Sequence, residues 1–70
     1  MNGKGATIIS VGNEILSGDV VDTNASWLAK RLSAQGVAVK KIIVVGDDEE
    51  EISEAINGCH SDIVFVMGGV

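Results

Sequence analysis

The sequence predicts a single α/β domain: a three-layer, parallel β-α-β-α-β sheet of strand order 2-1-3, with helices on both faces. Three observations carry this reading. Apolar residues switch between short β-branched runs and a 3.6-residue stripe along the chain. The β-branched runs are apolar almost throughout, as in a parallel sheet covered on both sides. All three runs close on glycine, at Gly12, Gly46 and Gly68.

The first strand is Ala6-Thr7-Ile8-Ile9-Ser10-Val11, bounded by Gly5 and Gly12. From Asn24 to Gln35, Ala25, Leu28, Ala29 and Leu32 fall at i, i+3, i+4 and i+7, which predicts a helix. Asp22-Thr23-Asn24 offers acceptors to its first amides, Lys30 and Arg31 suit its negative end, and Gly36 ends it in a left-handed conformation. Val37 to Val45 reads as the second strand. A short helix follows, with Ile52, Ala55 and Ile56 on one face and Asn57-Gly58 as its stop. Ser61-Asp62 then turns into a third strand, Ile63 to Met67. Right-handed crossovers place the second and third strands on either side of the first, with the two helices on opposite faces. One helix per face covers three apolar strands incompletely. Residues 1–70 are therefore expected to be the amino-terminal part of a single larger domain, or to be completed by a partner.

Composition excludes several classes. Seventy residues allow one domain at most. A hydrophobic fraction of 46% against 21% charged residues does not describe a disordered chain. The single cysteine, Cys59, rules out a disulfide scaffold and points to a reducing, cytoplasmic setting. No apolar window approaches the ~18 residues of a membrane span, and Met1 to Gly5 holds no apolar stretch of signal-peptide length, so neither membrane spanning nor secretion is expected. The net charge of −5 is carried by one run, Asp47 to Glu51; elsewhere five acids balance five bases. With no basic stripe, binding to a nucleic-acid backbone is not expected.

In an open parallel sheet, ligands bind outside the carboxyl ends of the strands, where strand order reverses. The three glycines fall there, either as tight turns or as places where backbone amides approach a ligand closely. The connection from Asn13 to Thr23 spans eleven residues, longer than the ~2–6 of ordinary strand-to-helix loops. Ile15-Leu16 and Val20-Val21 flank Ser17-Gly18-Asp19, so a small hairpin over the crevice is expected, or a cover for an apolar patch. The acidic run also has two readings. Asp48 can cap the second helix, with Glu49 to Glu51 in its first turn and Glu51 bonding back in a capping box. Asp47, still at the strand end, can hold Mg²⁺ or orient a phosphate-bearing ligand, with Glu14 as its companion. Two carboxylates beside an anionic ligand call for a divalent cation or basic groups.

Other motifs do not hold. Gly3-Lys4-Gly5 precedes a strand, unlike a phosphate-binding loop. Cys59-His60 lacks a second pair of metal ligands. Trp27 lies beside the helical stripe, a position suited to core or subunit contact, and a catalytic triad around His60 is excluded by its distance along the chain from the crevice residues.

Four blocks are together similar to a known family: residues 9–18 (ISVGNEILSG), 21–24 (VDTN), 44–48 (VVGDD) and 67–70 (MGGV). They resemble the molybdopterin-binding (MoaB/Mog) domain family, and within it most resemble the amino-terminal domain of CinA-type competence/damage-inducible proteins. The resemblance covers nearly the whole chain. It implies an oligomeric α/β domain that binds molybdopterin or a related phosphorylated pterin or nucleotide, in molybdenum-cofactor biosynthesis. For CinA-type relatives it implies instead a metal-dependent pyrophosphatase acting on ADP-ribose-like nucleotides. Position by position it implies a ligand site of Gly12, Asn13, Asp22, Thr23, Asn24, Asp48, Gly68 and Gly69, with Asp47 and Glu14 as the catalytic pair and Asp47 as the ligand of Mg²⁺ or another divalent cation. Three features depart from the family pattern. The sequence stops at Val70, before the family's further aspartate; Val66-Met67 replaces hydroxyl residues ahead of Gly68; and the second helix is shorter. The non-catalytic alternative is an association module whose apolar sheet edge or uncovered face meets another subunit.

Overall fold

A computed structural model of the chain describes residues 5–68. It contains β1 (Gly5–Val11), α1 (Asn13–Leu16), α2 (Thr23–Ala34), β2 (Ala38–Val45), α3 (Glu49–Asn57) and β3 (Ile63–Gly68). Both neighbours of β1 run parallel to it, in the order β2-β1-β3. This is the topology that right-handed crossovers dictate.

β1 is buried along its whole length because it has a strand on each side and a helix on each face. Alternation of side chains divides its residues between two cores. Ile9 and Val11 join Val45 in a buried cluster, against which Ile43, Val64, Cys59 and the α3 residues Ile52 and Ala55 pack. Ala6, Ile8 and Ser10 face the other way, toward α2, whose Ala25 is buried. Ile8 and Ile9 are fully buried, and each burial is worth about 1.5–3 kcal/mol. The edge strands are less protected. Ile42 on β2 and Val66 on β3, on opposite faces by register, are each 48% exposed.

The strand register shifts once. Ala6 pairs with Val39 but Thr7 pairs with Lys41, so Lys40 is an extra residue bulged out of the ladder.

Helix ends follow their sequence signals closely. Asp22 caps α2, its Oδ1 accepting from the Ala25 amide at 3.0 Å. At the other end Gly36 has φ +86°, and the amides of Gly36 and Val37 donate to Ser33 and Leu32. That paired closure satisfies two carbonyls of the last turn and needs a residue tolerant of positive φ. Asp48 caps α3, accepting at Oδ1 from the amides of Glu50 and Glu51. The expected capping box is incomplete: Glu51 Oε1 accepts from the Gly46 amide at 3.4 Å, and the Asp48 amide donates to the Gly46 carbonyl.

The connection after β1 is not a hairpin. Asn13 to Leu16 form one helical turn, closed by the Leu16 and Ser17 amides donating to Gly12 and Asn13. Gly18, at φ +88°, then reverses the chain, and the Val20 amide donates to the Glu14 carbonyl. Val20 and Val21 have no strand partner and stay exposed, with Leu16. Trp27, read as a core or contact residue, is 61% exposed, with the Arg31 guanidinium 5.4 Å from its ring centroid. Among the described residues, no helix is long and apolar enough to cross a membrane.

Candidate functional site

The three strand tips are neighbours: Val11 pairs with Val45 on one side and with Gly68 on the other. Because β1 ends between its partners and its crossovers leave in opposite directions, this rim holds the topological switch point. The sequence-predicted residues fall into two groups around it.

One group lies between the tips of β1 and β2. The Gly12 amide donates to the Val45 carbonyl at 3.0 Å, extending the ladder by one bond. Asn13 Oδ1 accepts from the Asp47 amide at 2.9 Å, tying the start of α1 to the end of β2. Gly46 permits that approach: a Cβ there would stand 2.8 Å from Asn13 Oδ1. Asn13, Glu14, Asp47 and Asp48 are all exposed. Asp48 is engaged as a helix cap through Oδ1, whereas the Glu14 side chain folds back beside Gly12, where a built Cβ would meet its carboxyl at 3.4 Å.

The second group lies between the tips of β1 and β3. Asp22, Asn24 and Gly68 line a recess of about 60 Å³ with Ser10, Ile15 and Met67. Among the described residues, two polar atoms here are buried without a hydrogen-bond partner: Ser10 Oγ and Asp22 Oδ2. The two carboxylate oxygens of Asp22 thus differ in role, one capping α2 and the other unpaired at the recess. Leaving a buried polar atom unsatisfied costs about 1–3 kcal/mol, and each such atom calls for a missing partner, a water, an ion or a ligand among them. Thr23 is exposed in the first turn of α2 and is not part of the recess lining. Gly69 lies outside the described residues.

Ser10 lies outside the expected set, because a hydroxyl within an apolar strand reads as strand interior. Its signal was present nonetheless: it is the last polar residue of the central strand, two positions before the closing glycine. Among the described residues, no three His, Cys, Asp or Glu side chains gather as a metal cage. A cation held mainly by ligand phosphates and water needs only one or two carboxylates. The exposed carboxylate of Asp47 can serve such a cation.

The fold is that of an open parallel α/β domain with a recess at the carboxyl edge of its sheet, the edge where such domains carry their ligand crevices. Residues 7–70 match the family model described as a probable molybdopterin binding domain, and the chain belongs to that family. Among curated proteins it is 48% identical over 65 residues to a CinA-like protein of Citrifermentans bemidjiense, covering 90% of this chain and 16% of the relative. It is 48% identical over 69 residues to a probable FAD synthase of Caenorhabditis briggsae, covering 96% of this chain and 13% of the relative. The crystal structure of the protein CinA from Thermoplasma acidophilum superimposes with a TM-score of 0.87 at 41% identity, covering 94% of this chain and 40% of that one. The chain spans about a quarter of the length of the first curated relatives it matches.

Proposed function

We propose that the carboxyl-edge recess binds one polar edge of a small phosphorylated pterin, of molybdopterin type, with the phosphate end lying outward over the exposed rim. The observation that carries this reading is the pair of partnerless buried atoms, Ser10 Oγ and Asp22 Oδ2. An ionised carboxylate oxygen only accepts hydrogen bonds, so Asp22 calls for a donor such as a ring N–H or an exocyclic amine. Ser10 can donate or accept and adapts to the neighbouring ligand atom. At about 60 Å³ the recess is far below the ~300–1,000 Å³ of complete small-molecule sites, so it seats a functional edge and not a whole ligand. The phosphate would then approach the tips of β1 and β2. Asp47, exposed there, would be the carboxylate that lends an oxygen to a divalent cation shared with the phosphate. Such a cation supplies charge neutralisation at the phosphoryl oxygens when bound.

The second reading is an adenine nucleotide of ADP-ribose type, whose pyrophosphate bond water would cleave to AMP and ribose 5-phosphate in a metal-dependent reaction with Glu14 and Asp47 as the acting carboxylates. It is favoured by the relative named a probable FAD synthase, whose named product is a dinucleotide. A ribose hydroxyl would satisfy Asp22 as well as a ring N–H does. Calorimetry with molybdopterin and with ADP-ribose, each with and without Mg²⁺, separates the two. Saturable binding of the pterin supports the first, and metal-dependent binding of ADP-ribose followed by release of AMP supports the second. Absence of binding by either ligand, with the chain folded, contradicts both.

A further inference from the structure

A second polar pocket lies at the opposite rim, by the amino ends of β1 and β3. It encloses about 300 Å³, at the lower bound of small-molecule sites. The seven residues of β1 separate it from the carboxyl edge by about 20 Å. Its walls include Thr7, Lys40, Lys41, His60, Ser61 and Asp62.

Three features make this pocket a positively charged donor site. First, neighbouring residues in a regular strand point to opposite faces. The bulge at Lys40 breaks that alternation, so both lysines border the pocket. They are two of only five cationic residues in a chain of net charge −5. The single carboxylate in the wall, Asp62, leaves the pocket with one net positive charge before His60 is counted, and its Oδ2 is occupied by the Gly5 amide at 3.0 Å. Second, the Lys40 stem is packed against the backbone: a Cβ on Gly5 would meet Lys40 Cγ and Cε at 3.3 Å. Part of the entropy cost of ordering that long side chain is thereby already met. Third, Thr7, buried to 1% exposure, shares a hydrogen bond with Ser61 across the pocket wall. Two hydroxyls carry two protons and their mutual bond uses one, so the pair retains a donor for an incoming acceptor. Cys59 takes no part, because its thiol donates to the Ala55 carbonyl at 3.1 Å.

We propose that this pocket is an oxyanion site that takes a phosphate group: Lys40 and Lys41 supply the charge, and the Thr7–Ser61 pair with a His60 N–H supplies directional donors. The group arrives as free phosphate or as the ester of a small metabolite. The site stands independently of the carboxyl-edge recess.

The test is an amide-resolved NMR titration of the 70-residue chain at constant ionic strength, with inorganic phosphate in one arm and glycerol 3-phosphate in the other. Saturable shifts at Thr7, Lys40, Lys41, His60 and Ser61 in either arm support the site. Tighter binding of the ester identifies a phosphorylated metabolite, and equal or tighter binding of phosphate identifies the free ion. A Lys40→Gln plus Lys41→Gln variant should weaken binding roughly tenfold or more, since charge-assisted contacts are lost. Should that variant not fold, Ser61→Ala should weaken it severalfold. Asp22→Asn, at the other rim, should leave this affinity unchanged, which keeps the test separate from the pterin reading. No saturable shift, shifts confined to Ser10, Asp22 and Gly68, or undiminished binding by the lysine variant would overturn the proposal.

Discussion

Asp22 offers a substitution that separates scaffold from site within one side chain. Its Oδ1 caps α2 through the Ala25 amide, while Oδ2 is buried and unpaired at the recess. Asparagine is as good an N-cap as aspartate and keeps an oxygen for Ala25, whereas alanine removes the cap at a cost of about 1 kcal/mol (range 0.5–2). Asp22→Asn should therefore leave folding stability within about 0.5 kcal/mol of the parent, and Asp22→Ala should lower it by up to about 1 kcal/mol, the lost cap being partly offset by removal of the unpaired buried oxygen. Ligand binding should respond differently. A hydrogen bond to a charged acceptor is worth about 1.5–3 kcal/mol, and both variants abolish it, weakening binding roughly 10- to 150-fold. Urea unfolding followed by circular dichroism gives the first quantity, and calorimetry with molybdopterin and ADP-ribose gives the second. A loss of stability in Asp22→Asn equal to that in Asp22→Ala, or parent-like ligand binding by Asp22→Asn, would refute this division of roles.

Ser10→Ala removes a buried hydroxyl that has no partner, so urea unfolding should show a stability equal to the parent or higher by about 1 kcal/mol, while ligand affinity falls. Gly46→Ala places a Cβ 2.8 Å from Asn13 Oδ1; the Asp47 amide should lose its acceptor and exchange faster in hydrogen-exchange NMR, and Asn13→Ala should reproduce that gain. Gly36→Ala imposes a side chain at φ +86° in open space, so its cost in urea unfolding should be about 1 kcal/mol of backbone strain, with no clash to relieve. Leu16, Val20, Val21 and Trp27 are each at least half exposed, and we expect self-association that sedimentation detects as a mass rising with concentration; a monomer at every concentration contradicts it.

The sequence revealed long-range order more readily than local detail. Strand order followed from continuous apolar strands joined by helices, because chirality leaves one way to make both crossovers. The caps at Asp22, Gly36 and Asp48 were legible because each meets a chemical need at a fixed offset from a helix end. α1 was not legible. A single helical turn is too short to show a period, and Val20-Val21 have the composition of a strand without a strand to pair with. Glu51 stands at the capping-box position, yet its carboxylate reaches the Gly46 amide, a partner supplied by the preceding turn and invisible in local spacing. At the site, the glycine-closed rim was readable. The split of its polar residues into a β1–β2 group and a β1–β3 recess was not, since it depends on which side of β1 each loop returns. Ser10 and the bulge at Lys40 likewise owe their roles to strand register, which a sequence pattern leaves undetermined.

The most direct measurement is an amide-resolved NMR titration with molybdopterin and, separately, with ADP-ribose plus Mg²⁺. Saturable shifts are expected to centre on Ser10, Val11, Asp22, Asn24 and Gly68, and Asp22→Asn should move their midpoint to roughly 10- to 150-fold higher ligand concentration. Saturable binding with those five residues unmoved would contradict that placement.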